Sequence, residues 1–213
     1  MSYRYDLHVH TDASPCSSTS PRAVARGAVD AGLDGIVVTD HDTMENVAAV
    51  RAVAPESLTV VPGVEVTTTE GHLLAVDIET MPERDSPLSV IDAVHDQGGY
   101  AVLAHPFDRL RERFETDLEE LATRVDAVEG VNSRTVRPAD NTHARRFANR
   151  HDVPSTGGSD AHFPFELGRA VTLSPDPLRV ALGRGTVEPH GRGCYLSGHV
   201  RTKLTLYRRQ ISL

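Results

Sequence analysis

Five short segments of the chain place metal-ligand residue types directly behind an apolar run, the first at His8 and the last at His162. They are His8 with His10, Asp40 with His41, Glu65, His105, and Asp160 with His162. Few folds can bring five such distant segments together. In a barrel of alternating strands and helices, catalytic groups from the ends of different strands converge on one rim, so residues far apart in sequence can share one pocket. The sequence is therefore read as an α/β barrel.

The apolar runs read as strands are Tyr3 to Val9, Gly35 to Thr39, Leu58 to Val61, His72 to Ile78, Tyr100 to Ala104, Ala127 to Val131 and Ala170 to Leu173. Helices are expected between them. The first has a clear start, with Ser20 as a cap, Pro21 at the first helical position, and Ala23, Val24 and Val29 supplying an apolar face up to Gly32. Further helices are expected at Met44 to Val53, Pro87 to Asp96, Asp117 to Arg124, Ala139 to Arg150 and Leu178 to Gly183.

At 213 residues and 39% hydrophobic content, the chain suits one domain with a sizeable core. Residues 1–190 are expected to form the barrel and 191–213 an accessory C-terminal segment. Cys16 and Cys194 are the only cysteines and form no CxxC pattern, which favours a reducing, cytoplasmic setting over a disulfide framework. No export signal or membrane-spanning run is evident, so no membrane partner is expected. The net charge of -8 argues against binding long nucleic acid through a basic surface.

His-x-His on an extended segment points both imidazoles to one side, because side chains alternate with period two. Nitrogen and carboxylate donors suit Zn²⁺, Mn²⁺ or Fe²⁺, and a shared carboxylate can bridge two ions about 3.5–4 Å apart. Taken singly, each residue has an ordinary explanation. Asp40 could cap a helix, and "GSDAH" (158–162) could be a turn. The recurrence behind five strands points instead to a multinuclear metal site.

The segments "DLHVHTDASPCSS", "GLDGIVVTDHDT", "VPGVEVTT", "GGYAVLAHP" and "GGSDAHFPFELGRAVT" together resemble the PHP family, the polymerase and histidinol phosphatase domain. The resemblance runs from Asp6 to about Thr172. It implies a distorted (β/α)7 TIM-like barrel with two or three divalent metal ions (Mn²⁺, Zn²⁺ or Fe²⁺) at the C-terminal rim of the strands. It also implies a metal-dependent phosphoric ester hydrolase that acts through a metal-bridging hydroxide. Carried over by position, the resemblance makes His8, His10, Glu65 and Asp160 ligands of one ion. Glu65 bridges to a second ion that His105 binds, and His41 and His162 belong to a third.

Cys16 stands where many members carry an acid or a histidine. It is either a thiolate ligand favouring Zn²⁺ or a small buried loop residue. In "EGVNSR" (129–134), Glu129 or Asn132 stands where some members place another histidine. Asp160 or Asp40 is expected to act catalytically by orienting the hydroxide or moving a proton. Arg134, Asn132 and Arg109 are expected at the substrate phosphate. Asp6 is either support for an imidazole or a strand-end acid.

The expected substrate is a small phosphorylated metabolite or nucleotide. Alternatives are 5'-3' exonuclease action on short oligonucleotides, histidinol-phosphate hydrolysis, and a non-catalytic metal-stabilised binding module. An amidohydrolase bridged by a carboxylated lysine is excluded, because the sole lysine is Lys203 near the end of the chain.

Overall fold

In the computed structural model, which describes residues 2–111, 114, 117–194, 201–203 and 206–207, the apolar runs pair into a sheet of nine strands. These are β1 (Tyr3–Val9), β2 (Gly35–Val38), β3 (Thr59–Thr67), β4 (His72–Val76), β5 (Tyr100–Leu103), β6 (Ala127–Asn132), β7 (Ser155–Gly158), β8 (Ala170–Ser174) and β9 (Glu188–Gly191). Their order is β7-β6-β5-β4-β3-β2-β1-β8-β9. The sheet curls until β7 lies beside β1 and β8. There the Gly157 N–H donates to Thr172 Oγ1 at 2.9 Å, and Val9 forms a parallel bridge with Ala161. A nearly closed, barrel-shaped sheet results.

Six helices among the described residues cover it: α1 (Pro21–Asp30), α2 (Val47–Val53), α3 (Pro87–His95), α4 (Leu118–Ala122), α5 (Pro138–Arg150) and α6 (Leu178–Arg184). Ser20 caps α1 by accepting from Ala23 N–H, with Pro21 in the first turn, as the sequence indicates. α1 and α2 pack against Ile36 and Val38, while α3, α4 and α5 pack against Val64, Val66, Leu73 and Val128. No helix among the described residues is long and apolar enough to cross a membrane.

Strict βα alternation is broken in the middle of the chain. Strands β1 to β3 and β5 to β7 run parallel, but β4 is antiparallel to both neighbours, and β8 and β9 pair antiparallel as well. β3 does not end at Val61 but continues to Thr67 and turns directly into β4, so Glu65 lies within a strand rather than behind one. β7 and β9 have no counterpart in the hydrophobic pattern. β7 reads Ser-Thr-Gly-Gly because close approach, not apolar burial, shapes it. A Cβ at Gly157 would lie 2.4 Å from Val171 O, and one at Gly158 would lie 2.5 Å from the His8 Cβ.

Period two then divides the barrel interior. Leu7, Val37, Leu74, Val76, Val102 and Ala127 form an apolar plug closed from below by Leu178 and Leu182 of α6. Two residues further along the same faces stand His72 beyond Leu74 and Glu129 beyond Ala127. One end of the barrel is greasy, and the other carries polar side chains.

Asp6 clips this closure together. Its buried carboxylate accepts from the backbone N–H groups of Ser159 at 2.8 Å, Gly168 at 2.9 Å and His8 at 3.3 Å, joining β1 to the segments flanking the β7–β8 connection. Burial pushes its carboxyl up to about 6 against the pull of those donors. Asp6→Ala leaves three N–H groups, two of them buried, without an acceptor and is expected to cost about 3 kcal/mol or more. Urea unfolding of the two proteins measures this, and a loss below about 1 kcal/mol would show that β7 closes without the clip.

Candidate metal centre

A buried carboxylate needs opposite charge or donors around it, since desolvation costs several kcal/mol per ion. Glu65 is fully buried, and five imidazoles answer it. His8 Nε2, His41 Nδ1 and His10 Nε2 lie 3.1, 3.2 and 3.3 Å from Oε2, while His105 Nε2 and His72 Nδ1 lie 3.0 and 3.6 Å from Oε1. Asp160 Oδ1 adds a second carboxylate oxygen 3.3 Å from His10 Nε2, and the His162 ring sits 4.4 Å from that of His10. Four overlapping groups have ligand atoms within 4.8 Å of one another: His8, His10 and Glu65; His8, His105 and Asp160; His10, His41 and His162; and His41, Glu65 and His72.

An outer layer aims these rings. His8 Nδ1 donates to Glu129 Oε1 at 3.0 Å, leaving Nε2 to face Glu65. The single Ser14 hydroxyl proton goes to Asp40 Oδ1, so Ser14 Oγ accepts from His10 Nδ1 at 3.1 Å and the His10 Nε2 lone pair points inward. His162 Nδ1 donates to the Asp160 carbonyl at 2.8 Å. Glu129 Oε2 also accepts from His105 N–H, so one carboxylate fixes two members of the cluster. His105 and Asp160 both adopt positive φ, 31° and 56°, which turns their side chains inward at the starts of their loops.

The donor set fits a cation. His10 Nε2, His72 Nδ1 and Asp160 Oδ1 are buried with no hydrogen-bond partner, the condition that a bound ion would relieve. Burial opposes charge on Glu65 and Asp160, yet His41 and His8 around Glu65, and Arg111 and His8 around Asp160, hold both well below the usual carboxylate range. Burial lowers His10, takes His72 down to about 4, and holds His162 well below the ordinary imidazole value. Ionised carboxylates and neutral imidazoles are the protonation states that ligation requires. His8 differs. Burial opposes its charge, but Glu65, Asp160 and Glu129 outweigh it and hold its pKa well above the ordinary value.

Several residues singled out by sequence stand elsewhere than expected. Asp40 does not face the cluster, because Thr11 N–H, Thr11 Oγ1 and Ser14 Oγ donate to its carboxylate; it acts on His10 through Ser14. Asn132 is buried and ties Glu129 to Asp160, its Nδ2 donating to both at 3.1 and 3.2 Å. Arg134 is buried against Glu166 at 3.0 Å, and Glu166 also accepts from His162 and Phe163 N–H, so the pair braces the loop behind β7.

Arg109 is exposed, and Arg111 enters the site instead. Successive turns, Asp108 N–H to His105 O and Arg111 N–H to Asp108 O, bring the chain back after β5. The Arg111 guanidinium bonds Asp160 and lies 3.1 Å from His105 Nε2. Cys16 lines the adjoining cavity but belongs to none of the four ligand groups; burial first, then Asp160 and Glu65, push its thiol up to about 12. Sequence reasoning missed His72, which opens a strand instead of closing one. Only the antiparallel direction of β4 puts it on the rim.

The chain matches the family described as PHP domain over residues 6–133 and the one described as PHP-associated over residues 138–185. An uncharacterized protein of Methanocaldococcus jannaschii is 28% identical over 173 residues, covering 78% of this chain and 68% of that protein. The 5'-3' exoribonuclease Rnm of Escherichia coli is 37% identical over 190 residues, which is 85% of this chain and 54% of the relative. The chain thus spans about half the length of that exoribonuclease. Among solved structures, a two-domain protein from Bacteroides vulgatus containing a predicted PHP-like metal-dependent phosphoesterase superposes with a TM-score of 0.76 at 17% identity, over 90% of this chain and 65% of that one.

Glu129→Gln removes the charge behind His8 while keeping an oxygen acceptor. It is expected to weaken divalent-metal binding by about 10–100-fold, the usual effect of losing a ligand's outer partner. Calorimetric titration of Zn²⁺ or Mn²⁺ into both proteins tests this, and unchanged affinity would mean that Glu129 does not orient a ligand.

Proposed function

The chain belongs to the PHP domain family, and on that premise we propose that it is a metal-dependent phosphoesterase that releases phosphate from a small phosphorylated metabolite or nucleotide. The observation that carries this reading is Glu65 among five imidazoles, with buried ligand atoms of His10, His72 and Asp160 left unmatched. His8, His10, Glu65 and Asp160 would hold one divalent ion, Glu65 and His105 a second, and His41 with His162 a third, with His72 joining Glu65 and His41. Such ions lower the pKa of bound water and neutralise phosphoryl oxygens.

The chain's own residues supply the rest. Asp160 Oδ1, buried and without a partner, is placed to accept a hydrogen bond from the attacking water. Held well below the usual carboxylate range, it orients that water rather than removing its proton. Arg111 lines the cavity with its guanidinium held by Asp160 and Asp108, where it adds positive charge beside the place of a phosphoryl group. Arg134 lines the same cavity, where its guanidinium adds positive potential from behind Glu166. The greasy plug below the cluster keeps bulk water from approaching through the barrel.

A second reading, removal of nucleotides from the 5' end of short oligonucleotides, is favoured by the 37% identity to the exoribonuclease and by a cavity of about 880 Å³ beside the cluster. Volumes of roughly 300–1,000 Å³ accommodate whole organic ligands, so both readings fit the space.

Phosphate release is expected from AMP, a 3',5'-bisphosphonucleotide, histidinol phosphate or an aryl phosphate when Mn²⁺ or Zn²⁺ is present, and not with excess chelator. Asp160→Asn should lower the rate by at least about 10²-fold, more than the loss of an outer partner does. The ranking of the four substrates chooses among the small-molecule readings. No release by protein shown to contain metal would sink the monoesterase reading; degradation of short oligonucleotides would then support the exonuclease, and inertness towards those as well would leave a binding module.

A further inference from the structure

The cavity beside the metal cluster has walls from two sources. His41, His72 and His162 come from the barrel rim, and Thr202 and Lys203 come from the far C-terminal segment. Residues 201–202 are held in place by two contacts. Arg134 Nη2 donates to Thr202 Oγ1 at 2.8 Å, and the Arg201 guanidinium carbon lies 4.8 Å from the centre of the Phe165 ring. Lys203 sits next to this anchor and is the only lysine among 22 basic residues.

The other cations of the cavity are already matched by carboxylates. Arg111 faces Asp160 and Asp108, and Arg134 faces Glu166. Among the described residues no carboxylate lies within 4.0 Å of the Lys203 ammonium. In a chain with 30 acidic residues against 22 basic ones, an exposed ammonium on a cavity wall with no carboxylate partner among the described residues is open to an anion from outside.

The reacting phosphate does not need it, since the ions that the cluster would hold neutralise that group. We infer that Lys203 is a substrate-binding residue that receives a second anionic group of the substrate, beyond the phosphate that reacts. The inference rests on the phosphoesterase reading and deepens it. A lysine ammonium is a compact, hydrated point charge on a flexible stem, suited to a peripheral phosphate whose position varies and less to a fixed bidentate contact. Both a terminal 3'-phosphate and the next phosphodiester of a short oligonucleotide have that chemistry.

Because the chain has one lysine, reductive methylation with ¹³C-formaldehyde gives a single dimethyl-lysine NMR signal apart from the α-amino group. In full-length, Zn²⁺-loaded Asp160→Asn protein, adenosine 3',5'-bisphosphate or the 5'-phosphorylated dinucleotide pApA is expected to shift that signal, and AMP to leave it in place. Whichever of the two shifts it at lower concentration identifies the source of the second anion. In the otherwise wild-type enzyme, Lys203→Gln should raise KM for that substrate about tenfold with kcat unchanged, the loss of one contact to a charged group. KM for an aryl phosphate should not change, and Lys203→Arg should restore most of the affinity.

A lysine signal that ignores all three nucleotides, or that moves equally with AMP, overturns the assignment. So does a Lys203→Gln effect of equal size on the aryl phosphate. A wild-type enzyme that hydrolyses none of these compounds sinks the phosphoesterase reading instead, and the lysine signal still reports on anion binding by itself.

Discussion

The fully buried Glu65 carboxylate is the constraint to which the polar end of the barrel answers. A single carboxylate with five imidazole nitrogens within 3.6 Å can exist in a dry interior only if charge is balanced within the cluster. Its position follows from β3. The strand runs on past the point where its neighbour β2 ends, and period two sets Glu65 on the face opposite Val64 and Val66, which pack outward under the helices. Moving Glu65 by one residue would exchange the carboxylate for a valine and leave the five imidazoles of four segments without a common partner.

Around that centre, precision comes from residues that never face the cavity. Asp40 directs the Ser14 proton and so the tautomer of His10; Glu129 receives His8 Nδ1 and positions the His105 backbone; Asn132 joins Glu129 to Asp160. His8, His10 and Asp160 therefore each have an outer atom fixed by a partner on a different strand or loop. Gly158 belongs to the same scheme, because only a residue without a Cβ lets β7 pass between His8 and Glu129. The ring of ligands is rigid because the barrel wall itself carries both layers.

The sequence carried the barrel and most of the cluster. Apolar runs leading to His8, His41 and His105 are readable because each belongs to a parallel strand or its exit loop, where period-two alternation and turn residues mark the end of a run, whereas His162 was legible only through its motif with Asp160. His72 was not readable in the same way. It begins its strand, and only pairing with β3 and β5 shows that this beginning lies on the rim. β7 was missed because Ser155 to Gly158 contains no apolar residue; its glycines answer to steric approach, which no propensity scale records. That Arg111 enters the site where Arg109 was expected likewise depends on two backbone turns behind β5 that a run of charged residues does not reveal. Asp40 looked like a rim acid by position, but its donors come from a loop nearly 30 residues earlier.

These two levels of readability follow a division of labour in the molecule. Residues that hold charge at the reaction centre sit on strands or immediately behind them, where hydrogen-bonded register fixes them to within a fraction of an ångström and a motif can record them. The outer cavity wall is assembled from Leu110 and Arg111 behind β5, Arg134 and Val136 behind β6, and Thr202 and Lys203 of the C-terminal segment. Such segments change length and sequence at little cost to the core. On the phosphoesterase reading, the rim would attack an anionic ester, while the loops and residues 201–203 would set what else that ester carries.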